Sequence, residues 1–469
     1  MRLHGDDGGE SDAPQDGFWN DLPVRDSEVM DGDEEELEGD AAPDGEDANL
    51  PELDPTGEER EVAAAKHEEV PSYVAELRGD SPLLALKRLR WLLSYRGRPI
   101  EQMLRLGAVP LLVGLMRGSE SNETRNQAAW ALANIAAGTK EHARAVVEAS
   151  ALPVLVSAIR TTSDRVMREQ AVWCLANIGF GDPDLRDAVL AAGAMEACAH
   201  VLGASNGAEQ LAAASRIRPD VCRLVRTLFR PNHYPPAPLR LLTPALSLMG
   251  GVLGGRSHSD SDVSSEPLLS EAMSAVRNLV DLREVEGGES ARIQAALDAG
   301  LGAAATEFAQ HAAESVHHPA VAVIGQILSA SEQQADYMLA QGCIHVLELH
   351  LESANEEVRK DALFALSNLT AGSYEQVKRV MESGVLEKVL ACMGGDSVDF
   401  VRHEATFAAC NVVLCHASFL DYMLQHRFLR RLCKQLANRR AEPALADVML
   451  NALDIVLKAG KDALEPSDR

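Results

Sequence analysis

Apolar stretches of helical length, each ended by a glycine and followed at once by another, fill this chain from about residue 80 onward. Gly107, Gly193, Gly300, Gly342 and Gly384 stand at such ends, where a residue without a Cβ takes the left-handed backbone that closes a helix. No run alternates apolar and polar positions between hairpin turns, so no strands are predicted. The longest apolar stretch, Leu241–Leu253, is interrupted by Pro244 and glycines and is too short to cross a bilayer. Abundant alanine and leucine, with aromatics at only 4%, suit all-helical packing.

Two segments of this pattern recur almost residue for residue. Residues Asn126 to Gly138 read NQAAWALANIAAG, and Arg168 to Gly179 read REQAVWCLANIG, placing Trp130 and Trp173, and Asn134 and Asn177, 43 residues apart. A period in that range marks stacked helical repeats of the armadillo or HEAT kind. Stepping the Asn position along the chain gives Trp91, Asn134, Asn177, Thr227, Asn278, Gln326, Asn368, Asn411 and Asp454, mostly at steps of 42 or 43. The three central steps are 48 to 51, with the surplus in Gly203–Ile217, Gly250–Pro267 and Glu284–Ser290. These stretches are rich in Gly, Ser and charge and read as surface loops. The predicted fold is all-α, a right-handed armadillo-repeat solenoid of about nine repeats. It also explains how 469 residues fold without one oversized core, since each repeat packs only on its neighbours.

A Trp and an Asn four apart share one helix face. Repeated in register, they lay a ladder of indoles and amides along one surface, which suits an extended peptide. The amides hydrogen-bond its backbone, and the indole faces take the stems and charges of Lys or Arg. The competing reading for Trp130 and Trp173 is ordinary core packing. Against it, Ala129, Ala131, Ala133, Val172 and Ala176 can build the core without the indoles, and a mid-helix Asn has poor propensity and needs partners when buried.

At these residues the chain resembles the importin alpha family of nuclear import adaptors. The likeness extends to Leu92–Ile100 (LLSYRGRPI), Gly107–Pro110, Ala145–Ala149, Ala151–Pro153, Arg186 with Asp187, and Ser367–Gly372 (SNLTAG). It covers roughly residues 80–462 and is weak in the middle. The resemblance implies a major peptide-binding site at Trp130, Asn134, Gly138, Gln170, Trp173 and Asn177, with Gly138 and Thr139 forming a loop that the peptide backbone approaches. The family places an acidic residue four after the third repeat's Asn; here that position is Gly181, and Asp182 follows it as the candidate. A minor site is implied at Phe364, Asn368, Glu404, Phe407 and Asn411, with Phe in place of Trp and a correspondingly weaker hold on a cation. The match fails in repeat four, where Arg223 takes the Trp position and Thr227 the Asn position. An arginine there repels basic ligands and shortens the site.

The net charge of −27 is uneven: residues 1–70 carry 25 acidic side chains against four basic ones, leaving about −6 for the rest. The reading is an acidic disordered tail over 1–70 and repeats over 71–469. So acidic a chain excludes nucleic acid as the expected partner. Its first twenty residues are acidic rather than a signal peptide, so no membrane is expected and the location is cytoplasm and nucleus. The family's adaptors open with a basic segment that binds importin beta and folds back on the groove. The opposite charge here leaves both functions without their segment in the sequence given.

Eight scattered cysteines without a CxxC pair read as free, mostly buried thiols. No Ser/His/Asp set, glycine-rich phosphate loop or metal-ligand spacing is present. No catalytic residue, metal or cofactor is therefore assigned, and the chain is not read as an enzyme. The resemblance implies a receptor for Lys/Arg-rich nuclear localisation signals on cargo proteins. The alternative is an armadillo scaffold that has lost transport.

Overall fold

A computed structural model of the chain describes residues 67–94, 98–203, 208–231, 233–254, 266–281, 289–396, 398–437 and 443–464. Nearly all of the acidic tail assigned to 1–70 therefore lies outside the described residues. Among those described, every regular element is a helix, and they form two compact units that divide between Gly181 and Asp182.

In the first unit the helices Leu83–Leu92, Asn122–Ala136 and Arg165–Ile178 pack on one another in succession. In the second, Ala208–Leu228, Glu266–Leu279, Glu314–Ala330, Glu356–Thr370, Asp399–Cys415 and Pro443–Leu464 do the same. These nine ladder helices of the described chain fall where the stepping of Asn positions predicts them. Two shorter helices precede each ladder helix in the regular repeats. Lys140–Glu148 and Ala151–Thr161, for example, meet at 77°. Ladder helices begin at side-chain caps such as Ser121, Asp164 and Asn355, which satisfy backbone N–H groups left open at a helix start. Small residues let successive ladder helices approach closely: Ala129, Ala131, Ala133, Val172 and Ala176 are all buried.

The turn between the two shorter helices uses a left-handed residue. Gly107, Gly193, Gly300, Gly342 and Gly384 have φ between 71° and 85°, and the equivalent junctions in two other repeats use Ser150 (φ 62°) and Arg427 (φ 63°). A residue with a Cβ is strained there by about 1–2 kcal/mol, while glycine costs about 0.5–1 kcal/mol in unfolded-chain entropy. Ser150→Gly is thus expected to stabilise the first unit by about 0.5 kcal/mol, read as a small rise in its unfolding midpoint. A fall would mean that the serine side chain contributes more than its strain costs.

The central stretches are more helical than expected: Gly250–Leu253 close the helix Leu239–Leu253, Glu266 and Pro267 open Glu266–Leu279, and Glu289 and Ser290 open Glu289–Asp298. Gly203–Ile217 was read as a loop, but residues 208–217 belong to the helix Ala208–Leu228. Its run of alanines favours helix, and the surplus length extends the element. The parts of the other two stretches over 255–265 and 282–288 lie outside the described residues. The proline-rich segment that follows Leu228 is held by Arg186, which is only 1% exposed. Its guanidinium donates to the carbonyls of His233 and Pro235, both at 2.9 Å, and pairs with Asp187 at 2.8 Å.

A second arginine motif recurs inside the repeats. Arg168, Arg359 and Arg402 each donate to the carbonyl six residues earlier, those of Thr162, Ser353 and Asp396. This ties the start of a ladder helix to the end of the short helix just before it. Of the cysteines, Cys174, Cys198, Cys222, Cys343 and Cys410 are buried free thiols, while Cys415 and Cys433 are exposed. Burial pushes the thiols of Cys198 and Cys343 up to about 12, which keeps them protonated and inert.

Candidate peptide-binding ladder

The Asn side chains of the ladder are partly committed before any ligand arrives. Asn177 Nδ2 donates to the Ala133 carbonyl at 2.9 Å, one residue before Asn134. The same step recurs in the second unit: Asn278 donates to Arg226 at 3.0 Å, Asn368 to Gly325 at 3.4 Å, and Asn411 to Ser367 at 3.1 Å. Each acceptor stands one residue before the Asn position of the preceding repeat, namely Thr227, Gln326 and Asn368. This places Thr227 and Gln326 at ladder positions by geometry. An Asn amide has two N–H groups and an acceptor oxygen, so one N–H links neighbouring ladder helices and the remaining groups are open to another partner.

Asn134 breaks this pattern. Among the described residues its Nδ2 has no hydrogen-bond partner, and it has almost no solvent contact; the same holds for Trp130 Nε1 and Gln170 Oε1. Asn134, Trp130 and Gln170 are 7%, 8% and 3% exposed. Unsatisfied polar atoms that deep are uncommon and call for an explanation. Trp173, one repeat on, is half-exposed, and Asn177 is buried. The first unit therefore brings Trp130, Asn134, Gln170, Trp173 and Asn177 onto adjacent ladder helices, with Trp173 the most accessible of the five.

Two cations stand at the second rung, that of Trp130 and Asn134. The Arg90 guanidinium carbon is 4.2 Å from the Trp130 ring centroid, and Arg98 Nη1 is 3.5 Å from the Asn134 carbonyl. Burial lowers the Arg98 pKa from its ordinary value, which leaves an arginine charged at neutral pH.

Gly138 and Asp182 have local structural work. A Cβ on Gly138 would lie 2.2 Å from His142 Nδ1. That nitrogen accepts the Thr139 N–H at 3.0 Å, completing a capping box on the helix Lys140–Glu148. Gly372 makes room in the same way for Gln376, which caps with Ser373. The bare backbone at Gly138 is thus required by the cap of the next helix. Asp182 belongs to the second unit and is the N-cap of Pro183–Ala191, its Oδ1 accepting from the N–H groups of Asp184 (2.8 Å) and Leu185 (3.3 Å).

In the second unit Phe364, Asn368, Glu404, Phe407 and Asn411 are all half-buried on the adjacent helices Glu356–Thr370 and Asp399–Cys415. The Phe364 ring packs beside Gly325, within 3.0 Å of where a Cβ would stand. The arginine at the fourth rung, Arg223, lies 3.6 Å from Asp220, and its neighbour Arg226 pairs with Glu271 at 2.9 Å. These carboxylates offset part of the repulsion expected from Arg223.

Comparisons agree with the repeat geometry. An Armadillo/beta-catenin-like repeat model matches residues 98–137, and a HEAT-like repeat model matches 122–178. Importin subunit alpha-1a of Oryza sativa subsp. japonica is 27% identical over 68% of this chain and 57% of its own length. Importin subunit alpha-4 of Arabidopsis thaliana is 28% identical over 84% of this chain and 69% of its own length. The chain thus spans little more than half of the rice relative. A crystal structure of an engineered protein superposes with a TM-score of 0.54 at 22% identity, over 83% of this chain and 99% of that one, which supports the fold alone. With helical repeats in register and these relatives over most of its length, the chain is an importin alpha-like armadillo-repeat protein.

Proposed function

We propose that the chain is a nuclear import adaptor that binds Lys/Arg-rich localisation signals of cargo proteins along its ladder, working between cytoplasm and nucleus without catalysis. The observation that carries this reading is the recurrence of Asn177, Asn278, Asn368 and Asn411, each spending one amide N–H on the preceding ladder helix, together with the partly exposed Trp173. The remaining amide groups suit an extended peptide, whose backbone alternates donors and acceptors. Phe364, Asn368, Glu404, Phe407 and Asn411 form the second site, with Glu404 as the counter-charge for a basic side chain. In this reading Gly138 serves the major site through the cap it supports, while Asp182 is the N-cap of Pro183–Ala191. Residues 71–469 are the binding body, and the acidic 1–70 segment attracts basic ligands at long range. Importin beta is the carrier to test, because its binding in the family depends on a basic segment.

Arg223 at an aromatic position favours a second reading, an armadillo scaffold that has lost transport. A titration of a labelled Lys-rich localisation peptide against the full chain at physiological salt separates the two. Micromolar or tighter binding, weakened about fivefold by Trp173→Ala through loss of about 1 kcal/mol of cation–π contact, is expected for the adaptor. Absence of binding leaves the scaffold.

A further inference from the structure

Arg90 sits near the end of Leu83–Leu92, the ladder helix of the first repeat, and lays its guanidinium over the Trp130 ring at 4.2 Å. That is the contact a ligand's Lys or Arg makes with an indole face. Trp130 is only 8% exposed, so little of its surface remains for a second cation. Trp173 differs: it is half-exposed, and no cation of the described residues stands over its ring. Arg98 adds a second positive group at the Asn134 carbonyl. A ligand cation brought to this rung meets two guanidiniums.

We propose that Arg90 is a fixed internal occupant of the Trp130 slot, so that the first unit accepts a single basic side chain of a ligand peptide, over Trp173, and disfavours a second one at Trp130. This rests on the peptide-binding reading above and narrows it. The preferred ligand carries one Lys or Arg at the Trp173 rung and a side chain without positive charge at the Trp130 rung.

The test titrates a labelled Lys-rich peptide, and versions with each lysine replaced in turn by alanine or glutamate, into the full chain and its Arg90→Ala and Arg90→Gln variants. In the wild type one lysine is expected to be replaceable by alanine or glutamate without loss. In both variants the all-lysine peptide should bind at least about fivefold tighter, and that same lysine should become sensitive to replacement. Affinity unchanged or weakened in Arg90→Ala and Arg90→Gln, with every lysine already sensitive in the wild type, overturns the proposal while leaving the peptide-binding reading intact. No binding by any of the three proteins sinks both. Quenching of tryptophan fluorescence by acrylamide, a neutral quencher, supplies a readout independent of any peptide. Removing Arg90 should raise the quenchable fraction, and the rise should vanish in a Trp130→Phe background. No rise in either variant overturns the occupancy directly.

Discussion

Replacing Arg186 with alanine is expected to destabilise the 182–469 unit by about 3–5 kcal/mol, the loss seen when one member of a buried charged network is removed. The guanidinium is 1% exposed and serves the carbonyls of His233 and Pro235 together with the Asp187 carboxylate. Both carbonyls belong to the irregular segment after Leu228. Arg186→Met tests the cause. Replacing a whole buried ion pair with apolar groups is often neutral, but methionine here fills volume and takes a charged donor from each carbonyl, at about 1–3 kcal/mol each. Arg186→Lys should recover only part, because one ammonium cannot reproduce the planar fork. Urea unfolding, with amide exchange over residues 229–242, provides the measurement. A methionine variant as stable as wild type would show that the carbonyls find other partners and that Arg186 is filler.

The repeats were legible because their cause is local. Gly107, Gly193, Gly300, Gly342 and Gly384 mark left-handed junctions that a Cβ strains, so the period is written in residue type. Ser150 and Arg427 occupy the same junction in two other repeats and carry no such mark. Gly203–Ile217 misled because surplus length was assigned to a loop, although Ala208 to Ala214 is a helix-forming sequence. The ladder was half legible. Spacing placed Asn134, Asn177, Asn368 and Asn411 on one face each, but the bond from each later Asn to the preceding repeat spans 43 to 52 residues and leaves no local signal. Arg90 was missed for a related reason. In a helix rich in Lys and Arg it reads as part of a solvated face, and only the packing of Leu83–Leu92 on Asn122–Ala136 puts it over Trp130. Gly138 was read toward the ligand when its neighbour His142 already required it.

The same substitution at two equivalent rungs should then give opposite effects on stability. Asn177→Ala removes a buried hydrogen bond to the Ala133 carbonyl, worth about 1–1.5 kcal/mol. That carbonyl keeps its helical bond from the Ala137 N–H at 3.0 Å, so no acceptor is orphaned and the loss stays modest. Asn134→Ala removes a buried donor that has no partner and installs a better helix former, a gain of about 0.5 kcal/mol or more. The two variants should differ by about 1–2 kcal/mol in unfolding free energy, with Asn134→Ala the more stable of the pair. On the peptide side they should agree. Each loses contacts to a ligand backbone and weakens a Lys-rich peptide about tenfold, the equivalent of about 1.4 kcal/mol. Asn134→Ala is therefore the cleaner probe, because its loss of affinity cannot be assigned to a loosened fold. A variant that gains stability and keeps full affinity would remove Asn134 from the binding surface and leave its buried amide as an unrelieved cost of the second repeat.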